Sequence, residues 1–259
     1  MSTMDQQRTD GPARLVLRGV SRTFVDGRIE RPVLDQVDLT VETGEMVALM
    51  GPSGSGKSTL IRLAAGLDRP TSGQIVVEGD HLAALDAAGL AEMRRTRVGY
   101  VEQRLNLLAA LTAAENVALP LELGGTSRRS ARLEALAALD AVGIADLCDT
   151  SADLLSGGEQ QRVAIARSLV GERRLLLTDE PTGALDSLTG EGIMRLLRAR
   201  CDAGASVLMA THDSAHAAWA DRVVFLRDGA LIDETRPLSF TTRAAEAGAA
   251  DDSAPESRR

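Results

Sequence analysis

Apolar and polar positions alternate in some stretches of the chain and run together in others. Residues 14–20 and 37–41 alternate, the period-2 signature of half-buried strands. Residues 46–50, Met-Val-Ala-Leu-Met, form an unbroken apolar run, as expected of a parallel strand covered on both faces. Residues 59–67 read as a helix, and from about 104 to 170 Leu and Ala recur at helical spacing. Within that stretch Thr112 precedes Glu115, and Ser156 precedes Glu159, at the spacing of capping boxes. Strands follow at 175–178 and 206–211, flanking a helix near 190–202. The runs 223–226 and 230–232 enclose Asp228-Gly229, a two-residue hairpin turn. No internal repeat is present. The order predicts one α/β unit over 13–243, interrupted by a helical insertion at about 104–170. Residues 1–12 and 244–259 are polar or Ala-rich without a sustained period and read as flexible ends.

Composition narrows the chemistry. The 259 residues are 44% hydrophobic and 25% charged, enough for a real core. Phe24, Tyr100, Trp219, Phe225 and Phe240 are the five aromatic residues, too few for base-stacking platforms. With 29 basic against 37 acidic residues the net charge is −8, so nucleic acid is not an expected partner. No run approaches the roughly 18 apolar residues that span a bilayer, and residues 1–14 lack the apolar core of a signal peptide. Cys148 and Cys201 stand 53 positions apart with no CxxC partner, which indicates neither a disulfide framework nor a zinc site. A reducing cytoplasm is the expected setting. Of the 29 basic residues 28 are arginine, and Lys57 is the sole lysine. An ammonium is a compact point charge that fits where a planar guanidinium does not.

That lysine sits in Gly51-Pro52-Ser53-Gly54-Ser55-Gly56-Lys57-Ser58, which matches G-x-x-x-x-G-K-S between an apolar strand and a helix that continues through Thr59. Glycines let the backbone curl so that N–H groups point inward as an anion nest, and the helix adds its positive end. Lys57 would reach the β- and γ-phosphates, and Ser58 would give its hydroxyl to Mg²⁺. Residues 175–178 lead into Asp179-Glu180, two carboxylates at a strand end. Neighbouring strand side chains point to opposite sides, so the two acids should differ in role. Asp179 is placed to hold Mg²⁺ through water, and Glu180 to act as general base or water-positioning group. Just upstream, two glycines, Gly157 and Gly158, follow the Ser156 cap and would bare the helix-end N–H groups to an anion.

The segment 155–169, Leu-Ser-Gly-Gly-Glu-Gln-Gln-Arg-Val-Ala-Ile-Ala-Arg-Ser-Leu, closely resembles the ATP-binding-cassette (ABC) signature, its Ser156 lying 23 residues before Asp179. The resemblance covers about residues 14–234. It implies a P-loop NTPase core carrying an antiparallel β subdomain and an inserted α-helical signature subdomain. Gln103 matches the glutamine that touches Mg²⁺ and the attacking water, Asp186 the D-loop, and His212 the switch histidine. Phe24 stands where the family stacks an aromatic on adenine, the alternative being a half-buried strand residue. The spacing of His212 and His216, i to i+4, also allows a metal on one helix face. A γ-phosphate contact explains His212 better, and His216 reads as a solvated helix residue.

The resemblance further implies ATP and Mg²⁺ as ligands and a head-to-tail homodimer. Each nucleotide would lie between Lys57, Ser58 and Asp179 of one subunit and Ser156, Gly157, Gly158 and Glu159 of the other. Residues 105–108, 111–117, 119–121 and 179–187 resemble more narrowly the MacB, lipoprotein-release and cell-division FtsE group. Those cassettes power a separate integral membrane permease in export or extrusion, from a peripheral position on the inner face of the cell membrane. The alternative within the group is relay of a conformational signal through an FtsX-like membrane partner to cell-envelope remodelling. Two positions depart from the pattern: Glu102 is a charge where relatives are apolar or aromatic, and Thr178 puts a hydroxyl in a buried strand that would need a partner.

Overall fold

The computed structural model describes residues 13–235. The expectations for 1–12, 244–259 and the last residues of the 13–243 unit lie outside the described residues.

The first alternating segments form a long hairpin, β1 (Leu15–Asp26) and β2 (Ile29–Val41). Both strands outrun the periods that signal them, because register shifts between Leu17 and Thr23 break the alternation while pairing continues. Next come β3 (Met46–Met50), α1 (Lys57–Ala64), β4 (Ser72–Val77) and the short β5 (Asp80–His81). Strands β2-β1-β4-β5, in that order, make a four-stranded antiparallel sheet. After α2 (Ala87–Thr96) and β6 (Val98–Val101) the chain enters the Leu/Ala-rich stretch, which folds as α3 (Ala113–Leu123), α4 (Arg128–Ala141) and α5 (Gly157–Leu169). Both capping boxes form, Thr112 with Glu115 on α3 and Ser156 with Glu159 on α5. Buried Asn116 ties the loop before α3 to that helix: its Oδ1 accepts from Leu108 N at 2.8 Å, and its amide donates to the carbonyls of Leu108 and Leu111.

The remaining elements are β7 (Leu175–Asp179), α6 (Ser187–Asp202), β8 (Ser206–Ala210), α7 (Ser214–Ala217), β9 (Arg222–Arg227) and β10 (Ala230–Thr235). The turn at Asp228-Gly229 has both φ angles positive, 49° and 81°, as a two-residue hairpin with right-handed strand twist requires. The second sheet has six strands in the order β10-β9-β3-β8-β7-β6, all parallel except the edge strand β10.

Alternation along its central strands divides the interior. Met46, Ala48, Leu176, Val207 and Met209 face a core shared with α3–α6. Val47, Leu49, Leu175, Leu177, Leu208 and Ala210 face a core shared with α1 and the antiparallel sheet. On α1, Leu60, Ile61 and Leu63 are fully buried, each worth roughly 1.5–3 kcal/mol before ordering entropy is subtracted. This seats α1 on the sheet. With β8 between β3 and β7, the carboxyl ends of all three strands open side by side, where open parallel sheets bind ligands.

Candidate functional site

The loop from β3 to α1 curls so that α1 starts at Lys57 with Gly56 as its cap. The first turn of α1 carries no acidic side chain, which leaves its positive end for an outside anion. Lys57 is buried and folded inward, its Nζ donating to the carbonyls of Gly51 at 2.7 Å and Pro52 at 2.9 Å. A cavity of about 760 Å³ opens above the loop. It is lined by Gly51, Pro52, Ser53, Gly54, Gly56, Lys57, Ser58 and Thr59 from the loop and α1, and by Phe24, Gln103, Asp179, Glu180 and His212 from other segments. Ser55 is the exception: it is buried, and its Oγ meets no hydrogen-bond partner among the described residues.

Asp179 belongs to the α1 face of β7, with the Ser58 hydroxyl beside its carboxylate. Burial pushes the Asp179 carboxyl above the usual range, against the opposing pull of Ser58 and, more weakly, of Lys57. Glu180 does not continue the strand. Its φ of +53° takes the backbone into the left-handed region, so both carboxylates line the same cavity rather than pointing to opposite sides. Glu180 Oε1 lies 2.7 Å from His212 Nδ1. That hydrogen bond, and then the carboxylate's charge, raises the His212 imidazole above its ordinary value.

Ser58, Asp179 and the Gln103 amide all line the cavity and offer oxygen donors, the donor type that suits a hard Mg²⁺ ion. Among the described residues no three His, Cys, Asp or Glu side chains cluster as a metal cage. Mg²⁺ needs none, since it takes one or two carboxylates together with phosphate and water. The helical-face metal reading of His212 and His216 is corrected by the geometry. His212 precedes α7 and is turned to Glu180, while His216 is on α7 with its Nδ1 3.0 Å from Thr182 Oγ1. Nor is His216 solvated: its side chain is 20% exposed, against 76% for His212.

Ser156, Gly157, Gly158, Glu159 and Asp186 lie away from this cavity. Ser156 and Gly157 are exposed at the start of α5, where Glu159 Oε2 accepts from Ser156 N at 2.7 Å. The Ser156 hydroxyl, and then that backbone N–H, hold the Glu159 carboxyl below its ordinary value. Asp186 caps α6, accepting from Leu188 N and Thr189 N at 3.1 Å, and faces a second cavity with His216 and Trp219.

Phe24 is 40% exposed, with the Arg22 guanidinium 4.4 Å from its ring centre on one face. Sequence reasoning missed Arg31 and Val33, which join Phe24 on the cavity wall. Arg31 is Phe24's cross-strand partner, a signal available only once the register is known. It also missed Gln161, whose amide donates to the carbonyls of Glu180 at 3.2 Å and Pro181 at 2.7 Å. A polar residue on the buried side of α5 was the available clue. Of the two departures, Glu102 is paired with Arg62 and Asn106. Thr178 is buried, and its hydroxyl has no hydrogen-bond partner among the described residues.

A family profile described as ABC transporter matches residues 34–183. The uncharacterized ABC transporter ATP-binding protein YvrO of Bacillus subtilis is 45% identical over 223 residues, covering 86% of this chain and 97% of its own length. Macrolide export ATP-binding/permease protein MacB 2 of Aeromonas hydrophila is 43% identical over 236 residues, 90% of this chain but 36% of its own. The chain thus spans about a third of the length of such MacB relatives. A dimeric structure of the ATP-binding cassette MJ0796, in a post-hydrolysis state bound to ADP and Pi, matches with a TM-score of 0.83 at 39% identity. The match covers 87% of this chain and all of that one. Likeness that runs through the phosphate loop and both sheets, at this identity, carries more than a shared architecture: the chain belongs to the ABC transporter family, as one of its ATPase cassettes.

Proposed function

We propose that the chain hydrolyses ATP as one half of a head-to-tail homodimer and drives an integral membrane permease in export or extrusion. One observation carries this reading. The cavity gathers Lys57, Ser58, Gln103, Asp179, Glu180 and His212, whereas the Ser156 helix end stands finished but exposed elsewhere on the same chain. A second copy would supply that helix end to the nucleotide, with Asp186 near the joint. The dimeric MJ0796 cassette supports this arrangement by likeness.

In the proposed reaction the loop N–H groups and Lys57 grip the β- and γ-phosphates, and Phe24 stacks on adenine with its free face. Mg²⁺, held by Ser58, Asp179 and Gln103, would neutralise phosphate charge when bound. Glu180 accepts the proton of the attacking water, and His212 holds that carboxylate in line with the γ-phosphate. Phosphoryl transfer needs positioning and charge stabilisation more than covalent chemistry, so a lone subunit lacking its mate's helix end should be nearly inactive. No described helix is long and apolar enough to cross a membrane. In this reading the work is delivered to an integral membrane domain from the inner face of the cell membrane.

The test is Mg²⁺-dependent ATPase activity per chain against protein concentration, with assembly followed by light scattering. Activity should rise steeply as dimers form. A full rate from strictly monomeric protein would overturn the paired-site mechanism. Co-purification with a membrane subunit, and its substrate's effect on the rate, tests the coupling.

A further inference from the structure

The loop joining β7 to α6 carries Glu180 at one end and Asp186 at the other, and it is fastened from two sides. From α5 the Gln161 amide holds the carbonyls of Glu180 and Pro181. From α7, His216 Nδ1 stands 3.0 Å from Thr182 Oγ1, with Asp213 Oδ2 3.3 Å from the same nitrogen. Thr182 is buried and His216 largely so. Both pack on α6 at Gly190, where a Cβ would stand 3.6 Å from Thr182 Cβ and 3.7 Å from His216 Nε2.

Within the loop, Gly183 N donates to Glu180 O at 3.2 Å and Leu185 N to Thr182 O at 3.0 Å. These are two consecutive tight turns, so a shift at Thr182 is passed on to Glu180 and towards Asp186. The segment carrying His212 and His216 is itself braced. Asp213 N donates to Thr211 Oγ1 at 3.1 Å, and Asp213 Oδ1 accepts from Ala215 N at 2.7 Å. It therefore meets the loop at two points, His212 against Glu180 and His216 against Thr182. One contact leaves a carboxylate free to pivot about it; a second fixes the loop's orientation. Reacting groups lose rate steeply when misplaced by about an ångström.

We infer that the His216–Thr182 contact is a latch that sets Glu180 against His212 for hydrolysis, which makes His216 a positioning residue acting through Thr182. This rests on the hydrolytic role proposed above for Glu180.

The test uses the full 259-residue chain and measures kcat, KM for ATP and melting temperature in five variants. These are His216→Leu, His216→Asn, Thr182→Val, the double variant His216→Leu/Thr182→Val, and Glu180→Gln as control. Losing one hydrogen bond should lower kcat roughly five- to tenfold with KM little changed. His216→Asn, which can present a polar atom near the lost Nδ1, should recover most of the rate. The double variant should be no slower than the worse single one, because each removes the same contact. Wild-type kcat in both single variants, or losses that multiply in the double, would sink the latch. So would a rate that only follows melting temperature without rescue by His216→Asn. Should His216→Leu fail to fold, the near-isosteric Thr182→Val decides alone. If wild type turns over, Glu180→Gln does not, and the latch variants match wild type, only the latch falls. If wild type is inactive, or Glu180→Gln is as fast as wild type, the hydrolytic reading falls and the latch with it.

Discussion

His212 Nδ1 stands 2.7 Å from Glu180 Oε1, across the carboxyl ends of β8 and β7. The two strands are zipped to within a residue of the pair, since Glu180 N donates to Ala210 O at 3.0 Å. Glu180 also holds a left-handed φ, a strained setting that persists only where its surroundings enforce it. In the proposed mechanism a carboxylate held this way is the base, a job that an amide cannot do. Glu180→Gln keeps shape and hydrogen-bonding length, so ATP binding and dimer formation should survive. Turnover should fall roughly 10²- to 10⁴-fold, the worth of a positioned general base. ATPase rates and nucleotide-dependent gel filtration on one preparation check both halves.

The same pair makes a pH prediction. Hydrogen bonding to Glu180, and then its charge, raises the His212 imidazole above 6.5. With three histidines in the chain, NMR titration can follow each one. His212 should titrate above the ordinary value in wild type and return towards it in Glu180→Gln. Because the folded value is the higher one, the stabilisation is complete below the unfolded value and is lost as pH rises through the folded value. The melting-temperature gap between wild type and His212→Gln should therefore be widest near pH 6 and close towards about pH 9. The gap is small at any pH, since an exposed pair is screened by water and salt.

Two glycines of the phosphate loop should pay very different costs for the same methyl group. At Gly51 a Cβ would lie 2.1 Å from the carbonyl oxygen of Leu226 on β9, at a φ of +151°. The obstacle is backbone in a sheet and cannot yield, so Gly51→Ala should cost about 3 kcal/mol of stability. At Gly54 nothing lies within 4 Å of the added carbon, and only the positive φ of 79° penalises it. Gly54→Ala should cost about 1 kcal/mol. Urea unfolding of the two variants checks the order.

What could be read from the chain beforehand was whatever a local pattern encodes. The strand Met46–Met50 was readable to the residue because burial on both faces demands an unbroken apolar run. Both capping boxes were readable because each closes within four residues. What failed depended on contacts between distant segments. His216 looks solvated from its neighbours in sequence, yet it is mostly buried and meets Thr182, 34 positions away. Alternation predicted opposite faces for Asp179 and Glu180, and that rule lapses where the backbone turns left-handed after Asp179. Arg31 gave no sign of reaching the cavity until its strand was paired with Phe24.

Thr178 and Asp179 are buried neighbours, and each carries a cost, but only Asp179 has a part in the proposed mechanism. Thr178 follows Leu176 on the face of β7 turned to the helical core, and its hydroxyl meets no hydrogen-bond partner among the described residues. Asp179 follows Leu177 on the α1 face, where burial disfavours its charge. Thr178→Val removes an orphaned polar group at nearly constant shape, so it should stabilise by about 1 kcal/mol at every pH and leave turnover intact. Asp179→Asn should also stabilise the nucleotide-free protein, with a different pH dependence. The folded carboxyl value lies above the unfolded one, so the wild-type protein loses stability as pH rises through that interval. The gain from Asp179→Asn should accordingly be fullest near pH 7 and shrink towards about pH 4, while Mg²⁺-dependent hydrolysis is lost. Melting curves at the two pH values, with ATPase assays alongside, separate the cases. A pH-independent gain from Asp179→Asn would contradict the cause assigned to the shift, and lost turnover in Thr178→Val would place that hydroxyl in the machinery after all.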